Sequence, residues 1–258
     1  MTRPKIGLSM LYCLSQPFKK MIQQIPKQKT AYIELVDDGL HELNKQRTNL
    51  LKDIKTTYNL RYSVHAPFGG VNISIRHGLL SNATMKRLKK SIVWTQALDS
   101  YLWIFHPGMM TGISMFYPGA DWKRNINRVR LLARFARDIG VEIALENVMG
   151  MFVMKNVDDF KKFYSETGEN IGIALDTGHA NINGQLENFL AELPHKIVHV
   201  HAHDNDGKSD NHLGIGYGTI NWKSVANLLQ KASYGRTIIV ESVANVEQSI
   251  QKLEQLFS

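Results

Sequence analysis

Ile197-Val-His-Val-His-Ala-His-Asp204, running on to Asp210-Asn-His212 and Gly214-Ile-Gly-Tyr-Gly218, is the stretch around which the chain is organised. His199, His201 and His203 stand at alternate positions, and alternate positions of a β-strand share one face. Val198, Val200 and Ala202 then form the opposite face. Imidazoles along one side of an otherwise apolar strand set it apart from an ordinary core strand. Asp210 and His212 add donors in the glycine-rich loop that follows. His and Asp gathered at a strand end are the ligand types of a borderline divalent cation such as zinc. For a lone His the ordinary alternative is a buried, hydrogen-bonded ring; a cluster of this size fits that alternative poorly.

The pattern of a short β-branched run closed by a polar residue, then an amphipathic helix, recurs outward in both directions. Strands are expected at Lys5–Met10, Ala31–Val36, Arg61–Ala66, Tyr101–His106, Val141–Glu146, Ile171–Asp176, Ile197–His203 and Thr237–Glu241. Helices are expected at Phe18–Pro26, His41–Tyr58, Leu79–Ser100, Asp121–Gly140, Val157–Thr167, Leu186–Leu193, Trp222–Ala232 and Val246–Phe257. Gly140 and Gly168 are placed to end their helices, Asp121 to cap the one it precedes, and Trp222 to pack the last helices on the sheet. Eight such units with no linker left over predict one α/β domain over residues 1–258: a single (β/α)8 TIM barrel with a closed, parallel, eight-stranded sheet. An open doubly wound sheet would draw its site from a few strand ends only. No Gly-x-Gly-x-x-Gly turn follows the first strand, so a dinucleotide site is not expected.

The 258 residues match the size of such a barrel, and 43% hydrophobic with 21% charged residues is a globular composition. The lone cysteine, Cys13, excludes an intramolecular disulfide and points to an intracellular, cytoplasmic setting. No apolar run is long enough for a membrane span, and Met1-Thr-Arg-Pro-Lys-Ile leads into a strand with no secretory signal. The net charge of +8 invites an anionic partner, yet its basic residues concentrate on two helices, Lys86–Lys90 and Lys123–Arg137, as solvated outer faces do.

The expected strand ends carry the chemistry. They supply His65, His106, Glu146, Asp176, His201 and Glu241, and adjoining loops supply His179, Asp210 and His212. All fall at the catalytic end of successive units. Carboxylates crowded at one mouth resist joint ionisation, and bound cations relieve this.

These residues, within Ser63-Val-His-Ala-Pro-Phe, Leu175-Asp-Thr-Gly-His and His203-Asp-Asn-Asp-Gly, resemble the xylose-isomerase-like barrel superfamily. That superfamily joins sugar and sugar-phosphate isomerases and epimerases with endonuclease IV. In the isomerase branch the resemblance implies one divalent ion on Glu146, Asp176, His201 and Glu241. In the endonuclease branch it implies three zinc ions. Glu146 bridges two of them, with His65 and His106 on the first, Asp176, His201 and Glu241 on the second, and His179, Asp210 and His212 on the third. The cofactor expectation is one to three divalent ions per chain, zinc or manganese/magnesium.

Two reactions compete. An isomerase or epimerase would use Glu146 and Glu241 as acid/base pair, passing a sugar through an enediolate, with His179 orienting substrate. Asn147, His203, Glu34 and Lys208 would assist at the substrate, and Arg76 and His77 stand beside the mouth as phosphate candidates. A phosphodiesterase would cleave abasic-site DNA with a metal-activated water. Two features disfavour DNA: Val36-Asp-Asp-Gly39 is acidic where a polyanion would pass, and Phe68 stands without a partner wedge. A small-molecule sugar ranks first as partner, DNA second, and no membrane.

Overall fold

A computed structural model describes residues 3–258; Met1 and Thr2, the start of the reading above, lie outside the described residues. Eight parallel strands close into a barrel in chain order. They are β1 Lys5–Ser9, β2 Tyr32–Val36, β3 Arg61–His65, β4 Leu102–Phe105, β5 Ile143–Glu146, β6 Gly172–Asp176, β7 Ile197–Ala202 and β8 Thr237–Val240. β1 pairs with β2 on one side and β8 on the other, which removes every sheet edge. The strands match the expected runs, trimmed by up to two residues at an end.

The helices are α1 Phe18–Gln24, α2 Lys45–Thr57, α3 Gly78–Ala97, α4 Ala120–Asp138, α5 Val157–Thr167, α6 Thr177–Ile182, α7 Leu186–Glu192, α8 Trp222–Lys231 and α9 Val246–Leu256. Three details correct the sequence expectation. α2 starts at Lys45 rather than His41, because Asn44 accepts from the Arg47 N–H and Asp38 caps a separate 3-10 turn over Gly39–His41. Asp121 does not cap α4: left-handed Gly119 enters that helix, and Asp121 binds the Arg124 guanidinium. α6 was not foreseen, being too short for a 3.6-residue period to show. Gly140 and Gly168 do adopt positive φ at their helix ends, as expected.

Alternation along β4 shows how the core divides. Trp103 and Phe105 face the helices, where the Trp103 indole donates to Ser91 of α3, while Leu102 and Ile104 face inward to Ala144 and Ala174. Between β6 and β7 the register slips: Ile173 pairs with Ile197, but Ala174 pairs with His199. Such bulges re-aim the side chains beyond them. The extra residue, Val198, packs over Gly172, where a Cβ would overlap it. No described helix is long and apolar enough to cross a membrane.

Candidate metal centre

The carboxyl ends of the strands deliver their polar residues to one cup. His65 closes β3, Glu146 closes β5, Asp176 closes β6, and His201 lies near the end of β7; His106 and Glu241 follow β4 and β8 by one residue. Asp176 accepts from the His179 N–H at 2.6 Å, capping α6 and turning His179 back over the mouth. The β7–α8 loop brings in Asp210 and His212. It is tied down by Asp204, which accepts from Gly216 N–H, Ile220 N–H and the Trp222 indole. Trp222 therefore holds the loop as well as packing against the core. All nine expected donors come together.

Tautomers follow from the far side of each ring. His65 Nδ1 faces the Ala66 carbonyl at 2.8 Å, His179 Nδ1 the Asn147 carbonyl at 3.1 Å and His212 Nδ1 the Glu241 carbonyl at 2.9 Å. A proton held there leaves each Nε2 lone pair free for the cup. His65 Nε2 stands 3.3 Å and His106 Nε2 3.4 Å from Glu146 Oε2. His201 Nδ1 is 3.4 Å from the same oxygen and 3.7 Å from Glu241 Oε2. His179 Nε2 and His212 Nε2 are each 3.4 Å from Asp210 Oδ2.

These spacings test the fit to a cation. Donors about 2.0–2.1 Å from a tetrahedral ion stand about 3.3–3.4 Å from one another. The cup repeats that edge, which is long for a hydrogen bond between charged groups. Glu146 Oε2, Asp210 Oδ1 and His201 Nδ1 are moreover buried with no hydrogen-bond partner among the described residues, a costly state that an ion would relieve. The donors form overlapping groups, including His65–His106–Glu146, Glu146–Asp176–His201 and His203–Asp210–His212. The residues fit divalent cations.

The electrostatics are those of acids and imidazoles pressed together. Burial pushes Glu146 up, but His201 and His106 outweigh it and hold its carboxyl well below the usual range. Asp176 is likewise lowered against burial, by His179 and His203. Burial opposes charge on His65 and His212 too, yet Glu146 raises the first to about 9 and Asp210 the second to about 9. Glu241 moves the other way: burial raises its carboxyl, and Glu34 and Glu146 add to that despite His201.

Above the cup lies a cavity of about 800 Å³. His65, His106, Glu146, His179, Asp210, His212 and Glu241 reach it, and Tyr12, Phe68, Met149, Phe152 and Val243 wall it; among the described residues no Lys or Arg lines it. The four residues expected at the substrate lie elsewhere. Asn147 is fully buried, its amide spent on the Asp176 backbone at 2.8 and 3.0 Å. His203 is fully buried, its Nε2 3.1 Å from Asp176 Oδ1 and its ring stacked on His212 at 3.9 Å. Glu34 is buried beneath the cup, and Lys208 is exposed on a loop outside the lining. Arg76 stacks on Tyr117, and neither it nor His77 lines the cavity. Asp37 and Asp38 are also committed internally, to Arg87 and to the Phe68 and Gly69 N–H groups. The aromatic walls Tyr12 and Phe152 were missed by the sequence reading, having only apolar character as a signal.

Comparisons with known proteins bear on the family and the fold. The chain is 29% identical over 261 residues to the uncharacterized protein MJ1311 of Methanocaldococcus jannaschii, covering 98% of this chain and 88% of that one. It is 26% identical over 212 residues to a probable endonuclease 4 of Halothermothrix orenii, covering 73% and 72%. The solved structure of a D-tagatose 3-epimerase-like protein superposes with a TM-score of 0.90 at 25% identity, covering 98% of both chains. Residues 28–256 match the model of the xylose isomerase-like TIM barrel, and the chain belongs to that family.

Proposed function

We propose that this chain is a divalent-cation-dependent isomerase or epimerase of a sugar that carries no phosphate. The observation behind this reading is the cavity: a donor-rich floor under apolar and aromatic walls, with no Lys or Arg among the described residues of the lining. Phosphate recognition calls for Arg, Lys or a helix N-terminus at the ligand. A neutral polyol needs polar groups at its reacting end and an apolar surface for its carbon face. Similarity to the epimerase-like structure supports the same reading.

Glu146, Asp176, His201 and Glu241 would hold the principal cation, and His65 and His106 a second with Glu146. A bound divalent cation supplies Lewis acidity toward a carbonyl oxygen. Glu146 and Glu241 both reach the cavity and both face His201 Nδ1, from 3.4 and 3.7 Å. Glu146 removes the proton from the carbon beside the carbonyl, and Glu241 returns one from its own side. Phe68 and Phe152 shut water out, and His179 orients the substrate hydroxyls.

A second reading rests on a separate observation, the convergence of His179, Asp210 and His212 at 3.4 Å spacings. One cation suffices for proton transfer, whereas three donor groups suit a zinc phosphodiesterase, and the endonuclease 4 similarity favours it. The test is paired assays on the zinc- and manganese-loaded protein. Deuterium uptake from heavy water at the carbon beside the carbonyl of free ketoses is expected. Nicking of abasic-site DNA without such exchange would overturn the reading.

A further inference from the structure

The barrel interior beneath the cup is polar where such interiors are ordinarily filled by Val, Ile and Leu. Glu34 and His199 are fully inaccessible to solvent there, with Ser63 and Thr237 beside them. Thr237 Oγ1 is 2.8 Å from His199 Nδ1, and His199 Nε2 is 3.0 Å from Glu34 Oε2. Ser63 donates to the same carboxylate oxygen at 3.0 Å. The other oxygen, Oε1, lies 3.0 Å from His201 Nε2, off the line of a straight hydrogen bond.

By type, Glu34, His199 and His201 could themselves hold a cation. Their spacing argues against it. Both Glu34–imidazole separations are 3.0 Å, an ordinary N–H···O distance, and shorter than the about 3.3–3.4 Å edge of a tetrahedral site. We infer that Glu34 is a positioning residue for His201: its carboxylate keeps a proton on Nε2 and so turns the Nδ1 lone pair into the cup. His199 and Ser63 fix Glu34 in turn, from strands on either side of the barrel axis. Carboxylate–imidazole–metal chains of this kind set both the tautomer and the basicity of the ligand. The inference depends on a cation at His201 and not on the sugar chemistry.

Zinc titration of the full chain against a competing chelator, with no sugar present, tests it. Glu34→Gln should weaken one class of site by about 10- to 100-fold while the remaining sites keep their affinity. Ser63→Ala, which removes one support of Glu34, should weaken the same class by less. Cobalt-loaded Glu34→Gln should show a changed visible spectrum confined to that class. Uniform weakening of every site, or wild-type affinities throughout, would overturn the assignment. If Glu34→Gln does not fold, Ser63→Ala decides: unchanged affinity at every site refutes it.

Discussion

Arg87→Met should unfold this barrel more readily than any surface substitution, and its size can be worked from contacts. Asp37 follows β2 and is fully inaccessible to solvent. Its Oδ1 accepts from the Leu43 N–H at 2.6 Å and from Arg87 Nη2 at 2.7 Å, and its Oδ2 from Arg87 Nη1 at 2.9 Å. At an effective dielectric of about 20, charges 2.7 Å apart attract by about 6 kcal/mol. The Arg87 side chain is 22% exposed, so solvent screens part of this. Stranding the carboxylate should then cost about 3–5 kcal/mol. Urea unfolding of the metal-loaded protein measures it, and the melting point should fall by about 2–4 °C for each kcal/mol. Asp37→Asn in the same chain keeps an oxygen for Leu43 and removes the buried charge, so the double variant should recover most of the loss. The pair also underlies the site. Asp38, the next residue, clamps the Phe68 and Gly69 N–H groups, and Phe68 lies edge-on to His65 at 5.4 Å. A loss below about 1 kcal/mol, or a double variant no more stable than Arg87→Met, would refute the reasoning.

Glu241→Gln should lower proton exchange by about 10²- to 10⁴-fold, the worth of a general acid or base; a near wild-type rate removes Glu241 from the acid/base pair. Gly178→Ala sets a Cβ on the His203 ring, which should destabilise the fold by about 1–3 kcal/mol and reduce the zinc count; unchanged stability and zinc content would show that the ring can move aside. His41 is held below its ordinary value by burial, against the Gln16 carbonyl and with help from Arg47. The unfolded chain therefore takes up this proton first on acidification. Stability present above about pH 6.5 is lost as the pH falls toward the folded value, by about 1.4 kcal/mol for each unit between the two. The stability difference between wild type and His41→Gln should shrink between pH 7.5 and 5, and a constant difference would count against it.

The barrel and its donors were legible because each is a local signal. A strand of alternating or β-branched residues ending in His, Asp or Glu is readable over six residues, and the closed topology puts all eight ends in one place. What stayed hidden depends on register and long-range packing. Glu34 and His199 are 165 residues apart, and they meet only because β1 pairs with both β2 and β8, and β8 with β7, closing the barrel. Asn147 reads as a polar group free for a ligand until the β6 backbone is seen to consume its amide. Lys208 reads as a mouth cation, but it is exposed on a loop and is not part of the cavity lining. Asp121 reads as a cap, but Gly119 at φ 77 takes that position two residues earlier and frees the carboxylate for Arg124.

Cation number and substrate class are separable in this barrel. Donor geometry governs the first: the groups around Glu146 and around Asp210 keep the same 3.3–3.4 Å edges, so nothing in their spacing ranks one above another. The walls govern the second. Loops after several strands supply Tyr12, Phe68, Met149 and Phe152, side chains that can cover a small carbon skeleton but cannot neutralise a phosphate backbone. A polyanion entering this cavity would meet the floor carboxylates with no Arg or Lys beside them, and the bound ions would be its sole positive partners. A small polyol meets the same floor through its oxygens and the same walls through its carbons. Convergence of these donor groups is therefore compatible with sugar chemistry, whatever the number of ions bound. Finding three zinc ions would leave the substrate assignment to the cavity walls.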